Sequence, residues 1–428
     1  MDNIKPDLAA SEGIAAPRRL PRNVWVVTIT SFLNDLSSEM LLNLLPLFLF
    51  NVLGVRTTVI GLIEGVADTT ASLVKLFSGW LSDRLRMRKG LAVLGYMLST
   101  VAKPFLYLAT SWGWVLGVRF ADRIGKGLRT APRDALVADS IDERQRGLAF
   151  GIHRAGDTAG AVLGLSVALV VLLASQRGVA ALTRDTFQTI VLVSLIPAVL
   201  AVLTIALGAQ EVTPALRENT SPRRGPVDKP RLSLQGFDRR FRLFLLITVL
   251  FTLGNSSDAF LILRAQTAGL SVSGVLGMMV VFSLVYTLVS APAGALSDRV
   301  GRRRLLIAGW SLYAVVYLGF ARVTVGWHAW ILMATYGIYY GLTEGVAKAF
   351  VADLVPSEQR GTAYGVYNAA IGIMAFPASL LAGFLWQGVA GWNGFGPSAP
   401  FLFGAILALL AAVFMTQLPT GGTVSDIG

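Results

Sequence analysis

Apolar runs near or beyond the roughly 20 residues that cross a bilayer alternate with short polar or Gly/Pro-rich breaks along almost the whole chain. Those breaks predict twelve spans, over 24–50, 58–82, 91–110, 113–140, 147–174, 187–209, 241–265, 272–296, 304–322, 326–354, 361–389 and 398–418. With both termini on one side, the loops of that side carry Arg84, Arg86, Arg88, Lys89, Arg299 and Arg302 to Arg304. The opposite loops carry Arg56, Arg177, Arg184 and Arg322. Lys and Arg concentrate in cytoplasmic loops, so the imbalance places both termini in the cytoplasm, as an even number of spans requires.

Composition agrees with this pattern. Of 428 residues 54% are hydrophobic and 14% charged, and the mean hydropathy is +0.63, too apolar for a soluble surface. The expectation is an all-α integral membrane protein of the inner (cytoplasmic) membrane, multi-pass and monomeric, with the lipid bilayer as its surroundings. The net charge of +12 is explained by the basic loops, so no nucleic-acid partner is expected. The absence of Cys excludes a disulfide framework and thiolate metal sites. The polar N-terminal stretch lacks the short apolar core of a cleavable signal peptide.

The longest polar segment, near 210–240, contains P-R-R-G-P-V-D-K-P-R and separates the sixth span from the seventh. Internal repeats divide the chain at the same place. G-W-L-S-D-R at Gly79 returns as G-A-L-S-D-R at Gly294, 215 residues on. V-A-D followed by R-G-x-A-x-G at Val137 to Gly151 returns at Val351 to Gly365, 214 residues on. Duplicated halves at one offset are the parallel-repeat design of rocking transporters. The organisation expected is a cytoplasmic segment 1–23, a six-helix bundle 24–209, a cytoplasmic linker 210–240, a second six-helix bundle 241–418 and a cytoplasmic tail 419–428.

On these residues the chain resembles the major facilitator superfamily along its whole transmembrane length. That family's loop between its second and third helices, G-x-L-x-D-R-x-x-R-R/K, is matched by G-W-L-S-D-R-L-R-M-R-K and again by G-A-L-S-D-R-V-G-R-R-R. The resemblance implies a fold of twelve transmembrane helices in two pseudo-symmetric bundles. It also implies a gating latch at Gly79, Asp83, Arg84, Gly294, Asp298 and Arg299. The family's fourth-helix motif, R-F-x-Q-G-x-G-x-G, overlies R-F-A-D-R-I-G-K-G, which gives Arg119 the place of its buried arginine. The chain departs from that motif at Asp122, Arg123 and Lys126. The fifth-helix motif of family antiporters, G-P-x-x-G-G, is matched in part by G-D-T-A-G-A at Gly156 to Ala161.

Charge inside the spans carries the candidate chemistry. An ionised side chain at mid-bilayer costs on the order of 3 kcal/mol on insertion scales, so such residues line water or pair with one another. Asp35 and Glu39 stand four apart on the first span, Glu64 and Asp68 four apart on the second. Arg119, Arg123, Lys126, Thr130 and Arg133 follow the three-or-four step along the fourth; each set forms one helix face. At about 1.5 Å per residue, Asp35, Glu39, Asp68, Arg123 and Lys126 fall at similar depths. Acidic faces then meet a basic one across a shared cavity, or the same charges close into a structural network.

The proton-coupling candidates are Asp35, Glu39, Glu64, Asp68 and Asp157, with His153 four residues before Asp157 as a further titrating group. The substrate-binding candidates are Arg119, Asp122, Arg123, Lys126, Arg133 and Arg154 in the first half, and Asn255, Asp258, Glu344 and Lys348 in the second. Tyr336, Tyr339, Tyr340 and Tyr367 suit either apolar cavity walls or anchors at the membrane interface. No G-x-x-x-x-G-K-[ST] signature, metal-ligand cluster or nucleophile motif occurs, so neither an enzyme nor a cofactor is expected. The function expected is secondary active transport by alternating access: export of a small anionic, zwitterionic or drug-like organic solute against protons. Proton-symport uptake and lipid flipping are the alternatives.

Overall fold

In the computed structural model, residues 20–85, 87–141, 146–175, 181–211, 236–356 and 359–419 are described. Among them all regular structure is helical, and twelve helices cross from one end of the molecule to the other. The first half contains α1 (Arg22–Leu42, extended by turns over Leu45–Leu47 and Phe48–Val52), α2 (Thr57–Leu85), α3 (Arg88–Ala102), α4 (Trp112–Asp139), α5 (Arg146–Ser175) and α6 (Arg184–Gly208). The second contains α7 (Arg239–Gly254, resumed at Ala259–Thr267), α8 (Val272–Val300), α9 (Arg302–Arg322), α10 (Gly326–Asp353), α11 (Arg360–Gln387) and α12 (Ala399–Gln417). The twelve spans expected from sequence are all present, with ends that differ by a few residues except in α3, where the span expected to reach 110 is an α-helix only to Ala102 and continues as a 3-10 turn over Lys103–Leu106.

Local chemistry sets the helix starts. Ser111, Thr183 and Ser271 accept from the backbone N–H three residues on, at 3.4, 3.4 and 3.2 Å, and Asp238 accepts from Arg239 N at 2.6 Å. Each satisfies a donor that the first helical turn leaves free.

Two spans expected to be continuous are interrupted. In α1 the chain turns at Asn43 and Leu44, and Pro46, without an N–H, stands in the next turn. The chain then passes through a π-helical turn at Phe48–Val52. In α7 residues 255–258 leave the helix: Ser257 Oγ accepts from Ala259 N at 3.3 Å, and Ser379 Oγ on α11 accepts from Ser257 N at 3.2 Å. Side-chain hydroxyls here replace helical partners.

Within the first half α1 packs on α5 and α6, and α4 on α2 and α3; within the second, α8 packs on α10 and α9 on α12. The halves meet through α2 against α11 and α5 against α8. Glycine permits the first of these contacts. A Cβ on Gly383 would stand 2.5 Å from Thr58 Cα and 2.6 Å from the Thr57 carbonyl oxygen.

The molecule is closed at one end only. At the end holding Leu44, Phe48, Ile60 and Phe187, these residues join Phe260 and Leu263 of α7 in one buried apolar cluster. At the other end, where Arg88, Lys89 and Arg302 to Arg304 lie, the first half has its own cluster of Val24, Val27, Tyr96, Leu136 and Ile205, with no member from the second half. The polar side chains of Arg154, Glu344 and Lys348 are exposed on the side of this basic end.

Length and apolar composition alone mark seven spans among the described residues, on α5, α6, α7, α8, α9, α11 and α12. The helices that fall short include α1 to α4, which carry most of the charge that lies away from helix ends.

Candidate substrate cavity

Between the halves lies a cavity of about 670 Å³. The chemistry of its walls is divided. Every cationic residue that lines it belongs to the first half: Lys75 on α2, Arg119, Arg123 and Lys126 on α4, and Arg154 on α5. So do all its carboxylates except Asp258: Asp35, Glu39, Glu64, Asp68 and Asp157. The aromatic residues on its wall, Phe282, Tyr286 and Tyr340, all belong to the second half.

The charges are unequally paired. Arg119 donates to Glu64 at 2.6 Å, with side chains only 5% and 8% exposed. This pair joins α4 to α2, and Arg119 Nε and Nη1 and Glu64 Oε1 have no hydrogen-bond partner among the described residues. One turn along, Arg123 is also buried, yet its nearest carboxylate is that of its own neighbour Asp122, at 3.6 Å, and its Nε has no hydrogen-bond partner among the described residues. Lys126 faces the cavity and forms no ion pair or side-chain hydrogen bond among the described residues.

Across the cavity Asp35 accepts from Asn34 at 3.0 Å and Glu39 from Asn43 at 2.9 Å, both uncharged donors. Two cations and two carboxylates therefore share one water-accessible space without closing on each other. A buried charge without a partner is costly, and such an arrangement suits a solute that completes it.

On α5 His153 is buried, with Nε2 3.7 Å from Asp157, and both ring nitrogens and Asp157 Oδ1 lack hydrogen bonds among the described residues. Arg154 reaches the second half: it donates to the Tyr286 hydroxyl and lies 3.3 Å from Glu344, to which Tyr286 also donates. Lys348 is 3.3 Å from the other Glu344 oxygen. Glu344 and Lys348 thus stand beside the cavity rather than on its wall. In the α7 break Asn255 and Asp258 do line it, and Asp258 accepts from the Tyr336 hydroxyl at 2.8 Å.

Two of the sequence candidates on α4 turn away. Asp122 is one step off the face of Arg119, Arg123 and Lys126, and borders a second, small pocket with Ser38 and Lys103. Arg133 donates to Ser31 at 2.9 Å and to Asp134 at 2.9 Å, tying α4 to α1 near the basic end. Lys103 is likewise structural, donating to Ser37 and Ser38 at 2.5 and 3.2 Å.

At the latch positions Gly79 meets Ala131 of α4, Arg84 lies over the Trp80 ring at 5.3 Å, and Gly294 faces open space. Asp298 pairs with Arg302 at 3.3 Å, Arg299 is exposed, and the side chain of Asp83 lies outside the described residues.

The duplication is visible here. Arg88 donates to the Ala135 carbonyl at 3.0 Å and pairs with Asp139, as Arg302 donates to the Ala349 carbonyl at 2.9 Å and pairs with Asp353. The repeated V-A-D motif supplies both carboxylates, a signal that the basic-loop reading of Arg88 and Arg302 passed over. Phe282 and Tyr286 were also missed. The four tyrosines considered from sequence separate cleanly: Tyr340 lines the cavity, whereas Tyr336, Tyr339 and Tyr367 are buried.

Twelve helices in two like halves, closed at one end around a charged central cavity, define a membrane transport protein. The chain belongs to the Major Facilitator Superfamily, whose family profile matches residues 27–379 and 244–424. An uncharacterised MFS-type transporter of Methanocaldococcus jannaschii is 34% identical over 404 residues, 93% of this chain and 95% of that protein. The class C tetracycline resistance protein of Escherichia coli is 32% identical over 143 residues, 33% of this chain and 34% of its own. Among solved structures the nucleoside transporter NupG superposes with a TM-score of 0.73 at 14% identity, covering 93% of this chain and all of that one; at that identity the likeness shows the fold. The protein is therefore a transporter and not an enzyme.

Proposed function

We propose that this transporter exports a small organic anion or zwitterion in exchange for protons. Arg123 and Lys126 receive the solute's acidic group, and Asp35 and Glu39 exchange the coupling protons, with Asp68 and Asp157 on the same cavity. The observation that carries this reading is that Lys126, which forms no ion pair among the described residues, and Arg123, whose ion pair is with its own neighbour Asp122, share one cavity with Asp35 and Glu39, which neither of them contacts. The partial likeness to a tetracycline resistance protein supports the outward direction. The basic loops support placing the protein in the inner membrane with both termini cytoplasmic, so that the open end faces the cytoplasm. It acts as a monomer, in which two bundles joined by the 210–240 linker rock about the cavity.

A thermal-shift screen of organic acids and antibiotics identifies a ligand, and transport of that ligand in proteoliposomes under an imposed pH gradient tests the mechanism. Asp35→Asn and Glu39→Gln are expected to abolish gradient-driven movement while leaving ligand binding in place, because the amide keeps the shape but exchanges no proton. Arg123→Gln and Lys126→Gln are expected to weaken binding of the acid far more than that of its neutral amide. Unchanged gradient dependence in both carboxylate variants refutes the coupling assignment. Equal losses for acid and amide refute the anion site.

A further inference from the structure

The aromatic side of the cavity is a built surface. Phe282 and Tyr286 stand one turn apart on α8, with rings 10° from parallel and centroids 6.3 Å apart. Tyr340 of α10 meets both edge-on, at 5.5 Å and 87° to Phe282 and at 6.0 Å and 81° to Tyr286. Behind them the fully buried Tyr336 packs on Phe282 at 5.7 Å and on Tyr340 at 5.1 Å.

Hydrogen bonds fix two members of this group. The Tyr336 hydroxyl is held by Asp258 at 2.8 Å, and the Tyr286 hydroxyl sits between Arg154 and Glu344. Rings held in this way lose little freedom when a ligand arrives, which favours binding. Tyr313 and Tyr317, elsewhere in the aromatic cluster, have no exposed surface, so they offer no face to a solute. Phe282, Tyr286 and Tyr340 differ because they present surface to the cavity.

Aromatic rings prefer other rings, offset-stacked or edge to face, by an increment beyond their area that a saturated ring does not supply. A cavity of about 670 Å³ lies within the range of small-molecule sites. Resting on the anion-site reading above, we infer that the solute is an aromatic acid: its flat ring system packs on the Phe282 and Tyr340 wall of the second half while its anionic group meets Arg123 and Lys126 of the first. The class is a fused-ring or substituted aromatic carboxylate rather than a sugar, a peptide or an aliphatic acid. Because each half recognises a different part, a molecule lacking either part engages one half only.

The test uses the purified full chain and three probes: 2-naphthoate, decahydro-2-naphthoate and 2-naphthalenemethanol, with binding followed by calorimetry. The wild type is expected to bind naphthoate about tenfold more tightly than its saturated counterpart, the worth of about two ring contacts. Phe282→Leu and Tyr340→Leu are each expected to bring that ratio toward one by weakening naphthoate, with the saturated acid bound as before; that unchanged affinity reports an intact fold. Tyr340→Phe, which keeps the ring, is expected to keep the ratio. A wild-type ratio near one, no naphthoate binding, or an unchanged ratio in both leucine variants overturns the inference. The anion site is read independently from naphthoate against naphthalenemethanol: the wild type is expected to prefer the acid, and Arg123→Gln to lose that preference while keeping the preference for naphthoate over its saturated counterpart. A wild type with the charge preference but no ring preference defeats the aromatic wall alone; a ring preference accompanied by an acid preference that Arg123→Gln leaves unchanged defeats the anion site alone.

Discussion

Gly383→Ala probes how the closed end is held shut. Ordinary Cβ contacts begin at 3.4 Å, whereas a methyl at Gly383 would stand 2.5 Å from Thr58 Cα and 2.6 Å from the Thr57 carbonyl oxygen. Accommodating it parts α2 and α11 by about 0.9 Å, which close-packed helices resist. The same crossing is tied by the Thr58 hydroxyl, which donates to the Gly388 carbonyl at 2.6 Å and reaches that of Gly383 at 3.1 Å, and by the Thr57 N–H to Gln387 at 2.7 Å.

Overpacking of this kind costs about 1–3 kcal/mol. The cost falls on the arrangement closed at this end and is relieved where the end opens. A cost of about 2 kcal/mol shifts that equilibrium about 30-fold toward opening. The chain has no Cys, so Leu42→Cys, on the cavity wall, gives a single reporter for a membrane-impermeant maleimide in vesicles of either orientation. Labelling from the closed side is expected to rise at least about tenfold in Gly383→Ala.

Gly125→Ala is the control. Its methyl is equally crowded, 2.5 Å from Ser99 Oγ and 2.6 Å from the Gly95 carbonyl oxygen, but between α4 and α3 of one half. It is expected to lower the melting temperature without changing the side of labelling. Equal labelling of folded Gly383→Ala and its parent from both sides refutes the reasoning.

The Arg119–Glu64 pair is buried in both partners, so Arg119→Met or Glu64→Leu alone is expected to cost about 3–5 kcal/mol, whereas the double variant recovers most of it. Denaturant unfolding in detergent gives the comparison, and additive losses refute direct pairing. Buried Arg264 donates to the carbonyls of Phe320 at 2.9 Å and Val323 at 2.7 Å, fastening the α7 segment to the end of α9. Arg264→Met is expected to lower stability by about 2–3 kcal/mol while transport per folded molecule is kept, as measured by thermal unfolding alongside vesicle flux.

The spans were legible because a bilayer demands long apolar runs, and the charged face of α4 because its side chains recur at helical spacing in apolar surroundings. Rotation about the helix axis was read less finely. Asp122 sits one residue from Arg123 but about 100° around the helix, and it faces Lys103 and Ser38 instead of the main cavity. The α7 break escaped notice because L-G-N-S-S-D-A-F lacks proline and lies inside an apolar run; its cause is tertiary, through Ser379 of α11. Phe282 and Tyr286 were invisible for a related reason. An aromatic residue facing a cavity, a core or lipid leaves the same mark in a membrane span, whereas a charged residue tolerates only the first of these without a partner.

The unequal polarity of the helices bears on how the protein is made. In chain order the first helix both long and apolar enough to cross a membrane is α5, although four helices precede it. α4 alone carries Arg119, Asp122, Arg123, Lys126, Arg129, Arg133 and Asp134, and each charge near the bilayer centre opposes insertion by about 2.5–3.5 kcal/mol. Released singly from the ribosome, α4 is more stable at the membrane surface than across it. Glu64 on α2 and the hydroxyls of Ser31 on α1 and Ser99 on α3 meet those cations in the folded protein, so the early helices are expected to enter lipid as a group and nascent chains stalled before α5 to be extractable from the membrane by alkali.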